Sequence, residues 1–218
     1  MSTAAAARPP RLLARLVWPV VIVAVLVAMA MDTRFLSGKE VTALNPAEFN
    51  AKDFAAAQYP KIVSAVEAKA VDLKEVATAV AADPEAAGKK YGNIAGTDKY
   101  AIPVRFTGKI TEAEAGLLTV DVAGLPKGSV VRIAVGQAAN GTALRDVPGT
   151  LKFKDFQNQT DYQQVANELK TRMLADVAGK VDVAAARGAK ASVVAVYVTN
   201  TGPEGSYLVT PVKIEVAG

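Results

Sequence analysis

The longest apolar run lies near the start of the chain. Leu16 to Met31 reads LVWPVVIVAVLVAMAM without a charge. Leu12 and Leu13 lengthen it to a candidate membrane segment over 12–31, with Arg15 long enough to reach headgroups by snorkelling. At ~1.5 Å per helical residue the uncharged core of the run spans ~24 Å, against a hydrocarbon layer of ~30 Å. Arg8, Arg11 and Arg15 precede it and Asp32 lies just beyond it. The positive-inside rule then places the N-terminus in the cytoplasm and everything after Met31 outside. Residues 1–31 read either as a signal anchor or as a signal peptide cleaved after Ala28-Met29-Ala30. Both readings export the rest of the chain.

Residues 32–45 read as a linker. The spacing then becomes helical over 46–99. Asn50 caps a helix reaching about Lys69, with Phe54, Ile62, Val63 and Val66 near a 3.6-residue period and Pro60 set to kink or restart it. Asp72 caps a second helix to Ala82, and Asp83-Pro84 opens a third that Gly88 or Gly92 ends.

From residue 100 the period drops to two. Val104, Phe106, Gly108 and Ile110 alternate with polar residues, as do Leu118, Val120 and Val122, then Val131, Ile133 and Val135. A short strand is expected at Thr150–Phe153. An amphipathic helix at about 160–177 carries Tyr162, Val165, Ala166, Leu169 and Met173 on one stripe. Strands at 191–200 and 206–217 close the chain, joined by a turn at Gly202-Pro203-Glu204-Gly205. Three strands, a helix and two strands is the order of an OB-like, partly open five-stranded antiparallel barrel with one packed helix. The predicted class is therefore α+β, with an N-terminal membrane helix, a helical prelude at 46–99 and an OB-like domain at 100–218. A twisted antiparallel sheet with one packed helix fits the same order.

Composition narrows the chemistry. There is no Cys and no His among the 218 residues. Disulfides, thiolate nucleophiles and ordinary zinc sites are excluded, and the usual neutral-pH general base is missing. Three of the 25 basic residues precede residue 32 with no acid beside them, leaving 22 basic against 21 acidic residues. The part outside the membrane is thus nearly neutral. With no aromatic in Leu117–Val122 or Ser129–Val135, nucleic-acid binding is not expected.

Four stretches carry a resemblance: Ala86-Ala87-Gly88-Lys89-Lys90-Tyr91-Gly92; Gly141-Thr142-Ala143-Leu144-Arg145-Asp146; Phe153-Lys154-Asp155-Phe156-Gln157-Asn158-Gln159 with Asp161-Tyr162 and Val165-Ala166-Asn167; and Thr210-Pro211-Val212-Lys213. Together, over about 35–217, they resemble an uncharacterised family of bacterial predicted periplasmic lipoproteins. The resemblance implies a gene encoded near sugar-uptake transporters of the ATP-binding-cassette type, and no activity. Many members carry a lipid-accepting Cys after the signal segment. Its absence here excludes lipidation and leaves attachment to the apolar helix.

Candidate site residues are few. Arg145 and Asp146, in a loop after a strand, offer a planar fork for a carboxylate or sugar hydroxyl, or else pair with each other. Asn158, Gln159, Tyr162 and Asn167 cluster about a helix start. They suit a polyol's hydroxyls, yet Asn158 also reads as a cap and Tyr162 as core. Gly136 to Gly141 has the spacing of a phosphate loop, but Thr142 stands where its Lys belongs. Asp53, Asp72, Asp83 and Asp161 read as helix caps. No catalytic residue, metal ligand or cofactor is assigned. The sequence reading is a non-catalytic, membrane-held accessory or binding protein on the periplasmic side of a bacterial inner membrane, with sugar transporter subunits as partners. The alternative is an exported domain that binds a sugar or polyol itself; an enzyme or a nucleic-acid module ranks below both.

Overall fold

A computed structural model describes residues 11–33, 49–183 and 185–217. The predicted linker falls almost wholly outside the described residues, as do Arg8 and the first three positions of the helical prelude. The chain divides into two units, Met1–Glu48 and Phe49–Gly218.

In the first unit, α1 (Arg11–Asp32) contains the apolar run. Its described apolar side chains, from Val17 and Trp18 to Met31, are exposed. Among the described residues no helix is long and apolar enough to cross a membrane. A helix forms where the sequence predicts one, and its charge-free run, Leu16–Met31, is shorter than the ~20 apolar residues typical of a span.

The second unit begins with α2 (Ala51–Lys69), capped by the Asn50 side chain on the Asp53 amide. It continues unbroken through Pro60. A two-residue strand, β1 (Val71–Asp72), leads into α3 (Leu73–Ala82), and α4 (Pro84–Tyr91) comes next. Asp72 and Asp83 cap these helices as the sequence predicts, and Gly92 is the C-cap of α4. Then come β2 (Asn93–Gly96), β3 (Lys99–Glu114), β4 (Leu117–Asp121), β5 (Val130–Ala134), α5 (Gly141–Asp146), α6 (Gln159–Asp176), β6 (Lys190–Val198) and β7 (Ser206–Ala217).

The long strand β3 organises the sheet. Its first half pairs with β6 and its last six residues pair with β4, both antiparallel. Gly108 stands near the change of partner, where a Cβ would collide with the carbonyl oxygen of Asp121. A register shift between Ile110 and Glu112 bends the strand at the same place. From β4 the pairing passes to β5, β7, β6 and back to β3. The predicted all-antiparallel arrangement is corrected here, because β5 and β7 run parallel. The chain leaves β5, crosses over through α5 and α6, and returns along β6 before β7 comes alongside. β1 and β2 add two short strands against β3, and β1 is also parallel. The expected strand at 150–153 is absent; Phe153–Asp155 forms a turn of 3₁₀ helix instead.

Two cores result. Ile102, Val104, Ile110, Leu118, Ile133 and Val193 form one core on the inner face of the curved sheet, and Leu73, Val76 and Ala77 of α3 pack on them. On the outer face, α2 (Tyr59, Ile62, Val66), α5 (Leu144) and α6 (Val165, Leu169, Met173) pack over Ala101, Val196, Val198 and Val212. One packed helix is thus corrected to several. β6 belongs to both cores, and its run KASVVAVYV is accordingly apolar on both faces.

Candidate functional site

Arg145 and Asp146 lie in α5, not in a loop. Asn140 makes the helix possible: its side-chain oxygen accepts from the amides of Thr142 and Ala143. Both charged residues are buried, at 6% and 5% exposure. Arg145 Nε donates to Asp146 Oδ1 at 2.7 Å and Nη2 donates to Oδ2 at 3.1 Å, a two-pronged pairing of neighbours. Nη1 donates to the Tyr162 carbonyl at 3.2 Å, and the Tyr162 hydroxyl donates to Asp146 Oδ1 at 3.2 Å. The guanidinium carbon sits 3.5 Å from the centre of the Tyr162 ring. Burial, and then the charge of Asp146, push the Tyr162 phenol above its ordinary pKa, while Arg145 opposes them. The triad therefore satisfies itself and ties α5 to the first turn of α6.

Tyr162 also meets aromatic rings. Phe153 and Phe156 lie 5.6 and 5.2 Å from it, and Phe156 continues to Phe49 and Phe54 at the start of α2. Over the triad opens a cleft of about 550 Å³ lined by Asn93, Ile94, Lys152, Phe153 and Tyr162. Ile94 is 75% exposed and Phe153 54%. Among the described residues of the second unit, only these two and Val130 are large, apolar and exposed. Ile94 reaches this position because β2 pairs with β3 and the Asn93 side-chain amide donates to the Val147 carbonyl at 2.7 Å.

The remaining predicted residues separate. Asn158 is the N-cap of α6, accepting from the Asp161 amide at 2.9 Å, so its role is structural. Gln159 is exposed at the first position of that helix. Asn167 lies two turns away and lines a different cavity, of about 320 Å³, with Asn140, Thr142, Gln163, Lys170 and Thr210. The structure thus joins Arg145, Asp146 and Tyr162 and leaves Asn158, Gln159 and Asn167 out. Ile94 and Phe153 were missed. Ile94 had one signal, a single large apolar residue between Gly92 and Gly96 that joins no periodic stripe. Among the described residues no group of three or more acidic side chains is placed to hold a metal.

These features define a mixed α+β domain whose five principal strands have the strand order of an OB fold. A crystal structure at 1.90 Å resolution of an OB-fold protein from Thermotoga maritima is similar, with TM-score 0.65 and 19% identity over 78% of this chain and 99% of that one. The model of the family described as "Predicted periplasmic lipoprotein (DUF2291)" matches residues 20–215, and the chain belongs to this family. The family description supports a location outside the cytoplasm. No curated protein matches the chain.

Proposed function

We propose that the chain is a non-catalytic accessory protein at the outer face of the bacterial inner membrane, and that it docks a subunit of a sugar-uptake transporter of the ATP-binding-cassette type. The observation that carries the docking is the pair Ile94 and Phe153, both exposed and both lining one cleft. Exposed apolar side chains around a pocket suit a partner's anchoring residue, and the polar rim with Lys152 suits a reversible interface. The non-catalytic reading is supported by Arg145 and Asp146, whose polar atoms are engaged by each other and by Tyr162. Membrane attachment is supported by the charge-free run Leu16–Met31 behind its basic flank, on a helix with exposed apolar side chains.

The test is photo-crosslinking in native membranes from cells grown on several carbon sources. The crosslinker replaces Ile94, Phe153 or, as a control, Glu67, which is exposed on α2. A transporter subunit captured from positions 94 and 153 and not from 67 is the expected result. Capture of no protein at 94 and 153 under any condition overturns the docking, and equal capture at 67 shows that it is not specific.

A further inference from the structure

The second cavity, the one lined by Asn167, lies among α6, the loop ahead of α5, and the strands β6 and β7. Gln163, Asn167 and Lys170 stand at i, i+4 and i+7 on α6, so one helix face supplies three polar side chains to it. Val196, Val198 and Leu208 supply an apolar floor. The far wall is held in place by bonds already formed. The Asn140 amide donates to the hydroxyl of buried Thr210 at 2.9 Å, and Thr142 donates its hydroxyl to the Asn140 side chain at 2.7 Å. Gly141 keeps this wall against α6, since a Cβ there would run into the carbonyl oxygen of Ala166. The Lys170 ammonium, the one formal charge in the lining, donates to the Gln137 carbonyl at 2.7 Å.

Gln163 and Asn167 are exposed at the mouth of this cavity, and among the described residues their side-chain amides make no hydrogen bond within the protein. Each offers two donors and an acceptor in one plane. A hydroxyl group is also donor and acceptor at once, so a row of hydroxyls can bind both amides without a proton change. An anion would find a cation whose ammonium already donates to a carbonyl, and a cation would find no carboxylate. The volume sits at the lower end of the ~300–1,000 Å³ typical of small-molecule sites. We infer that this cavity is a binding site for a neutral polyhydroxylated ligand of about monosaccharide size, held edge-on by Gln163 and Asn167 over the valine–leucine floor. The inference is independent of the docking at Ile94 and Phe153, which lie in another cleft.

The test is a titration of the isotope-labelled full-length protein in detergent, tracking the side-chain amide signals of Asn and Gln by NMR. The probes are D-glucose, D-ribose, myo-inositol and inorganic phosphate, each taken into the millimolar range, about −4 kcal/mol of binding at a Kd of 1 mM. The expected result is a saturable shift of the Gln163 and Asn167 signals with at least one of the three polyols and none with phosphate. Asn167→Leu should weaken that response at Gln163 about tenfold, the size of one well-made hydrogen bond. Gln159→Leu, on the same helix outside the cavity, should leave it unchanged. Both positions are exposed, so neither substitution threatens the fold. The site is overturned if no polyol moves the two signals, or if Asn167→Leu leaves the response intact. A shift with phosphate alone overturns the neutral-ligand class.

Discussion

At the scale of single residues, the polar groups buried in the helical layer differ in how they are satisfied. The Asp146 carboxylate accepts from both Arg145 and Tyr162. Asp146→Ala would leave a guanidinium buried without its counter-charge. Chemical denaturation should show a loss of roughly 3–5 kcal/mol, much of it recovered when Arg145 is also replaced by Met. Tyr59 on α2 is the opposite case. Its ring is buried, and its hydroxyl is buried without a hydrogen-bond partner among the described residues. Burial first, and then the charge of Asp176, push the Tyr59 pKa up to about 12, with Arg172 opposing. Such a phenol stays neutral in the folded state after it has ionised in the unfolded one. Its contribution to stability is therefore complete below pH ~10 and is lost as pH rises through about 12. Tyr59→Phe should be neutral or up to ~1 kcal/mol stabilising at pH 7, and should flatten the fall of stability between pH ~10 and 12. A clear destabilisation at pH 7 would mean the hydroxyl does have a partner.

At the scale of elements, the capped helices were legible because capping is local. Asn50, Asp72, Asp83 and Asn158 each bind an amide two or three residues ahead, so residue type and spacing carry the information. α5 was not legible. It is six residues long with no apolar periodicity, and its Arg and Asp are buried against Tyr162 of α6, a contact between separate elements. The segment 150–153 has strand composition but finds no neighbour to bond with, and Phe153 turns out to the cleft instead. The element under most constraint is β3. Gly108 lets one strand serve two partners, because the β4 backbone at Asp121 occupies the space of its missing side chain. Gly108→Val should therefore push β4 away and cost more than ~2 kcal/mol, as overpacking against backbone does; thermal unfolding read by circular dichroism measures it.

At the scale of the whole molecule, the chain comprises a short apolar helix and a larger unit that carries both cavities. Among the described residues, every member of the two hydrophobic cores belongs to the larger unit. A chain beginning at Phe49 should thus keep a cooperative unfolding transition, with a midpoint close to that of the full-length protein. Flotation with lipid vesicles should recover the full-length protein with the lipid and leave the shortened chain behind. If the shortened chain floats as well, attachment does not reside in residues 1–48.

What the sequence determined by itself was whatever depends on near neighbours: the exported character of the chain, the helix starts, the alternation of the strands and the strand–helix order of an OB-like domain. Each comes from a period, a cap or a charge within a few positions. What only the tertiary structure decided was which surfaces meet. The parallel β5–β7 pairing, the burial of β6 on both faces, the closed triad of Arg145, Asp146 and Tyr162, and the separation of Asn167 into its own cavity all join residues from distant elements. A polar stripe such as Gln163, Asn167 and Lys170 has the same pattern whether it faces water or a pocket. The difference lies in the strands and the α5 wall opposite it, and these are brought there by packing.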